Sequence, residues 1–158
     1  MDHPIVGTVV SRTRGTVTQR DFQRWAAAVD DLNPLYFDAE YARAHGYEDV
    51  VAPPLYLQYA TLGVTTMDQL RPDGTPDPDG WGDLPLDGYP RRMAGGQDVT
   101  FHHPVYAGTT LTATRTITAI TRKTGRTGPF LLVTAMTSYT TDDNTLIAEI
   151  TDTLIARP

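Results

Sequence analysis

Seven consecutive residues, Asp30-Asp31-Leu32-Asn33-Pro34-Leu35-Tyr36, gather two carboxylates, an amide and a phenol. The Asn-Pro pair marks a turn, and Asx side chains define such turns by bonding their own backbone. The same seven residues also read simply as a helix stop. A carboxylate such as Asp31 can hold and orient a water. With a reference pKa of ~3.9 it is a weak base unless burial or a partner raises it. A phenol such as Tyr36, with a reference pKa of ~10, donates a hydrogen bond but is a poor general base at neutral pH. His45, His102 or His103 could supply an imidazole. Other chemistries lack their residues. There is no cysteine, hence no thiol nucleophile, disulfide framework or thiolate metal site. Ser11 and Ser138 are the two serines, and neither lies in a G-x-S-x-G elbow. No His/Asp/Glu spacing of a zinc site is present, and no Gly-rich dinucleotide or phosphate loop.

The elements that must hold these residues are legible in outline. Thr18 is a good N-cap with Asp21 three residues on. Phe22, Trp25, Ala26 and Val29 then recur at helical spacing, which places Trp25 in the core and delivers Asp30 and Asp31 at the helix C-terminus. The helix dipole disfavours carboxylates there. Asp38 caps a second helix, Ala39 to His45, and Gly46 suits the left-handed position after it. On this reading His45 interacts with that helix end. Val50-Val51-Ala52 is extended. Pro53-Pro54 opens a third helix, about Leu55 to Leu70, with Leu55, Tyr59, Leu62 and Met67 on its buried face. Residues 71–94 have turn chemistry nearly throughout apart from Trp81 and Tyr89, and read as a substrate-covering loop.

From Gly95 the pattern is that of strands: Val99 to His102, Leu111 to Arg122, Phe130 to Tyr139 and Leu146 to Ile155. Turns fall at 124–128 and 142–144. Ile5 to Val10 is a lead-in strand or arm, and Gly15 to Val17 a short extended approach to the first helix. Thr110, Thr112, Thr114, Thr116 and Thr118 share one face of the second strand, which β-propensity alone explains. Arg115 is the exception on its apolar face. Alternation also puts His102 and His103 on opposite faces of their strand. Helices first, then a meander of four strands, means an α+β fold with an antiparallel sheet.

The 158 residues make one domain by length, spanning 1–158. A net charge of −6 argues against a nucleic-acid partner and against anionic membrane surfaces. No apolar run approaches the ~18–20 residues that span a bilayer. Met1-Asp2-His3-Pro4 is not the start of a signal peptide, so a cytoplasmic location is expected.

D-D-L-N-P-L-Y, followed by A-R-A-H-G-Y-E-D-V-V-A-P-P at residues 42–54, resembles the hydratase motif of the MaoC-like hot-dog enzymes, (R)-specific enoyl-CoA hydratases and 3-hydroxyacyl thioester dehydratases. That motif reads G-D-x-N-P-L-H. Asp31, Asn33, Pro34 and Leu35 match it, while Asp30 stands at its Gly and Tyr36 at its catalytic His. Gly95-Gly96-Gln97-Asp98-Val99-Thr100-Phe101-His102-His103-Pro104-Val105-Tyr106-Ala107-Gly108 resembles the "GGQ…F-H-x-P-V…G" segment of the family's FAS1-like dehydratase branch.

The resemblance implies a hot-dog fold, an antiparallel sheet wrapped around a central helix. Its sheet edges would pair across subunits, with the acyl site at the interface. It implies hydration of an enoyl thioester, or the reverse dehydration, on acyl-CoA or acyl-carrier protein, without a cofactor or metal. The chain would act as a homodimer or with a second MaoC-like subunit. Catalytic candidates are Asp31, Tyr36, Asn33 and His102. Pro54, Tyr56, Trp81, Arg91 and Arg92 are candidates for binding substrate, the arginines at CoA phosphates together with Arg122, Lys123 and Arg126. Two roles stay open for Tyr36. It donates to a site in which Asp31 is base and a histidine from elsewhere completes the set. Or this chain lost the dyad and shapes the acyl tunnel for a partner that carries it. A hot-dog thioesterase is a further alternative.

Overall fold

The computed structural model describes residues 4–72, 74, 76, 81, 84 and 86–158. Five antiparallel strands form one sheet in the order β1-β3-β4-β5-β2. They are β1 (Val9–Thr16), β2 (Arg91–Phe101), β3 (Thr110–Gly125), β4 (Gly128–Thr141) and β5 (Leu146–Arg157). β3, β4 and β5 are the expected meander. β2 does not precede it in space but closes the far edge, pairing with β5. The lead-in segment supplies a fifth strand. β1 runs antiparallel to β3 and carries Gly15 and Thr16, which the sequence placed in a short approach to the first helix. β2 begins at Arg91, inside the segment expected to be loop.

Helix α1 (Gln19–Ala28) starts where its cap predicts: the Asp21 N–H donates to Thr18 Oγ1 at 3.2 Å. Phe22 and Ala26 are fully buried, and Trp25 packs half-buried on the same core. Val29 lies past the last turn and is exposed. Helix α2 (Ala39–Ala44) is capped by Asp38 Oδ1, which accepts from Glu40 and Tyr41 N–H, and Gly46 follows with φ +90°.

The third helix differs most from expectation. α3 is Tyr56–Thr61, six residues, and buries Tyr56, Leu57 and Thr61. Leu55, Tyr59, Leu62 and Met67 are instead 43–84 % exposed. Leu62-Gly63-Val64-Thr65-Thr66 joins a glycine to β-branched residues, a poor helical stretch, and the chain is extended at Leu62. A single 3₁₀ turn, Met67–Gln69, follows. The buried face is set by contact with β1: a Cβ on Gly15 would lie 1.7 Å from the Ala60 carbonyl oxygen. Only a glycine lets strand and helix come so close.

The inner face of the sheet carries two apolar clusters. One joins Leu111, Ala113, Tyr139, Ala148 and Ile150 to the helices. The other joins Ile117, Val133, Ala135, Leu154 and Ala156 to Leu84 and Leu86, which are buried, with Trp81 and Tyr89 beside them. These described members of the segment expected to cover substrate pack on this end of the sheet. Its residues 73, 75, 77–80, 82, 83 and 85 lie outside the described residues. Between the clusters runs a polar row. Arg115 bonds Asp152 Oδ2 at 2.5 Å and Thr137 Oγ1 at 3.1 Å, and Gln97 bonds Asp152 Oδ1 at 2.8 Å. The Arg115 guanidinium lies 5.0 Å from the Trp81 ring. The exception in the β3 alternation is therefore an inward, paired arginine.

Candidate active site

The end of α1 fixes the seven-residue motif. Asp31 N–H reaches back to Ala26 O at 2.9 Å and Asp30 N–H to Ala27 O at 3.3 Å, with Asp30 left-handed at φ +58°. This is the Schellman closure, whose left-handed position usually holds glycine, the residue the hydratase motif has there. The next turn is an Asx cap: Asn33 Oδ1 accepts from Leu35 N–H at 3.1 Å and opens the 3₁₀ turn Pro34–Tyr36. Gln23 on α1 donates to Tyr36 O at 2.9 Å and ties the turn to the helix. The motif is thus both a helix stop and a rigid mount.

Tyr36 is buried and faces a cavity of about 400 Å³. The wall is mostly apolar, with Leu35, Val51, Pro54, Leu57, Phe101 and Val105, and its polar members include Asn33, Tyr47, His102 and His103. Short pairings assemble it: Val51 N–H bonds Leu35 O at 3.1 Å, and Ala52 N–H bonds Val105 O at 2.8 Å. Burial, then the neighbouring Asp31 carboxylate and a hydrogen bond to it, push the Tyr36 phenol above its ordinary pKa. Tyr36 therefore keeps its proton, which is shared with Asp31. Tyr36 is part of the cavity wall and Asp31 is not.

His102 and His103 both belong to the cavity wall. β2 ends at Phe101, and both N–H groups turn onto one acceptor, Ile147 O, at 2.9 and 3.3 Å. The His102 ring turns to the sheet face that bears Glu149, opposite the face of Ala148 and Ile150. His102 Nε2 lies 3.1 Å from Glu149 Oε2. His45 is elsewhere, its Nδ1 2.8 Å from Tyr41 O at the end of α2.

The expected substrate residues separate into three groups. Pro54 lines the cavity. Tyr56 does not: it is 2 % exposed, packed edge-on against Phe22 at 6.2 Å and Trp25 at 5.9 Å. Starting α3 at Tyr56 turns that ring into the core. Trp81, Arg91 and Arg92 line a second groove with Arg71 and Tyr89, at the opposite end of β2. Arg122, Lys123 and Arg126 are exposed on and around the β3–β4 hairpin. Among the described residues no group of His, Asp or Glu could hold a metal ion, and no helix is long and apolar enough to cross a membrane. Sequence reasoning missed Glu149, Gln23 and Tyr47. Each makes its contact only in the tertiary fold, and no local signal marked it.

A sheet wrapped on a short helix, with a cavity between an Asp-x-Asn-Pro turn and the end of an edge strand, has the hydratase and dehydratase type of hot-dog fold. The chain belongs to the family described as FAS1-like, dehydratase domain region, which matches residues 4–150. It is 37% identical over 144 residues to a UPF0336 protein of Parafrankia sp. (strain EAN1pec), covering 89% of this chain and 83% of that one. Among solved structures it resembles the ChsH1–ChsH2 complex of Mycobacterium tuberculosis, with TM-score 0.76, 22% identity and coverage of 95% and 84%. It also resembles the HadBC (3R-hydroxyacyl-ACP dehydratase) complex of the same organism, with TM-score 0.68, 24% identity and coverage of 98% and 99%. At these identities the likeness to the two structures shows the fold.

Proposed function

We propose that this chain hydrates enoyl thioesters, or dehydrates 3-hydroxyacyl thioesters, on CoA or a carrier protein. The observation that carries this reading is one mostly apolar cavity lined by the motif's Asn33 and Tyr36 and by His102 and His103. Water addition needs a base for the attacking water, an acid for the α-carbon and donors for the enolate oxygen. Tyr36, protonated and held by Asp31, orients the water. With Oδ1 engaged in the turn, the Asn33 amide NH₂ is a donor for the thioester oxygen. One of the two wall histidines, His102 or His103, supplies the proton transfer that a tightly protonated phenol cannot. The apolar wall suits an acyl chain.

Assembly with a second hot-dog subunit is part of the proposal. β2 is an eleven-residue edge strand, exposed strand edges favour pairing, and Tyr59, Leu62, Val64, Met67 and Phe101 are large apolar residues left exposed. The second reading is a non-catalytic subunit that binds the acyl chain beside a competent partner. Tyr36 at the motif's His position, its proton held more firmly than in a free phenol, favours it.

The test is hydration of a panel of enoyl-CoA esters by the purified chain, with its solution mass measured on the same sample. Asp31→Asn is expected to lower turnover about a hundredfold, the scale of a general acid–base contribution, while changing thermal stability little. Silence of the chain alone, turned to activity by a partner carrying the intact Asp/His pair, would establish the second reading. Lost stability with full activity in Asp31→Asn would remove Asp31 from the site.

A further inference from the structure

We propose that the ligand-binding unit is two copies of this chain joined along β2, in which Arg91 and Arg92 of one copy hold the phosphates of a CoA thioester whose acyl group lies in the cavity of the other. The inference rests on the thioester reading and deepens it by placing the nucleotide. The cavity and the arginine groove lie at opposite ends of β2: Phe101 is in the wall of one, and Arg91, Arg92 and Ala94 line the other. From Phe101 back to Arg92 is ~30 Å at ~3.3 Å per residue. The pantetheine arm, from thioester sulfur to the first phosphate, is about thirteen bonds long and spans ~15 Å when extended, at the ~3.5 Å that three chain bonds cover. A CoA ester seated in the cavity therefore brings its diphosphate about halfway to the groove of its own chain.

A second copy closes that gap. β2 ends the sheet, so one side of its backbone has no strand partner among the described residues. Nine of its eleven residues are exposed, and an open edge of this length is a template for another strand. A two-fold axis normal to the sheet pairs identical edges antiparallel. Face parity then decides what meets what. Arg92, Ala94, Val99 and Phe101 stand opposite Ala156, Leu154, Ile150 and Ala148 of β5, which are buried on the inner face. Directly opposed residues share a face, so these four residues of β2 share that one. With both inner faces on one side, the register of fullest overlap sets Arg92 of one copy opposite Phe101 of the other, and Ala94 opposite Val99, ~5 Å apart at the backbone.

Each site of the pair is then assembled from both chains. The groove has the chemistry for its part. Guanidinium forks match phosphate oxygens, and Arg91 is fixed by a bond from Nε to Pro158 O at 2.8 Å. Trp81 and Tyr89 on the groove wall offer ring faces to a purine.

The experiment is complementation read by binding. Calorimetry follows butanoyl-CoA, a saturated thioester that takes up no water, on four samples: wild type, Arg91→Ala with Arg92→Ala, Leu57→Trp to fill the cavity, and co-expressed chains carrying the two lesions separately. Each lesion alone should weaken binding at least tenfold, and only the filled cavity should also weaken butanoyl-pantetheine. In the mixture about a quarter of the sites should regain wild-type affinity, because half the pairs are mixed and each mixed pair has one site with both parts intact. Leu35→Trp takes the place of Leu57→Trp if the latter loses the wild-type Tm. The chain has no cysteine, so Ala94→Cys with Val99→Cys tests the register. Mild oxidation should yield a covalent dimer, since these positions are ~16 Å apart along one strand and cannot bridge within it. No regained sites in the mixture, unchanged affinity in either lesion, a wild type that binds no butanoyl-CoA, or a monomer that does not cross-link would overturn the proposal. Should the mixture regain sites while wild type turns over no enoyl thioester, the hydratase reading fails and the shared site stands.

Discussion

Where β2 ends, the inner face of the sheet meets helices α1 and α3 and leaves a mostly apolar cavity, its polar atoms placed singly on the walls. Where β2 begins, the same face meets Trp81, Leu84, Leu86 and Tyr89 and opens on a groove of arginines and aromatic rings. One set of strands builds both ends, so the difference comes from what covers them. Proton transfer requires a dry, preorganised wall in which a few dipoles count heavily. Recognition of an anion requires fixed cations and tolerates water. The first end is the candidate reaction site and the second a candidate binding site. The Arg115–Asp152 pair marks the seam.

Breaking the seam should have the largest effect. Asp152→Ala leaves Arg115 without its carboxylate in a place where the two side chains are 21 and 13 % exposed. Removal of one partner of a buried pair costs about 3–5 kcal/mol. Urea unfolding should show that loss, and both ends should loosen together in hydrogen exchange. Intact stability would mean that the two ends are independent.

Alkaline pH probes the helix-covered end. Burial, only partly offset by the nearby Arg115 charge, pushes the Tyr139 pKa up to about 12. A group whose folded pKa lies above its unfolded one contributes stability that is complete below about pH 10 and disappears as pH rises toward 12. Two units correspond to roughly 2–3 kcal/mol. Denaturant titrations from pH 9 to about 12 should show this decline, and Tyr139→Phe should flatten it.

The arginine groove can be tested by substrate. If it holds CoA phosphates, Arg91→Ala with Arg92→Ala should raise KM for CoA esters about tenfold, worth ~1.4 kcal/mol. kcat should stay unchanged, as should KM for a pantetheine thioester lacking the nucleotide. Equal effects on both substrates would detach the groove from nucleotide recognition. The smallest expected change lies at the cavity end. Asp30→Gly relieves a left-handed non-glycine residue and removes a carboxylate from a helix C-terminus. It should stabilise the protein by about 0.5–1 kcal/mol, seen as a Tm increase of about 1–4 °C.

The sequence announced local structure well. The Thr18 and Asp38 caps, the stop at Asp30-Asp31, the Asn33 turn and the β3–β5 meander each rest on neighbours in the chain, and each appears as expected. Failures arose where distant segments decide. The stripe Leu55, Tyr59, Leu62 and Met67 has helical spacing, but the approach of Gly15 on β1 determines which face of α3 is buried. Tyr56 read as a substrate contact because nothing local shows that Phe22 and Trp25 enclose it. The placing of β2 beside β5 follows from sheet closure, which no turn signal encodes. On the cavity wall, Tyr36 and His102 stand at positions that the motif resemblance had singled out, whereas Tyr47 was not legible, since it reaches the wall only by tertiary contact.

The order of pairing along the chain bears on how the molecule is put together. β3, β4 and β5 are joined by short turns, so their ladders close small loops. β1 finds β3 with Gly15 opposite Leu111, across most of the sequence, and the cavity draws on segments near residues 35, 52 and 103. Closing long loops costs more chain entropy and slows folding. The scaffold is thus carried by quick, local contacts, while the candidate cavity depends on the slowest ones.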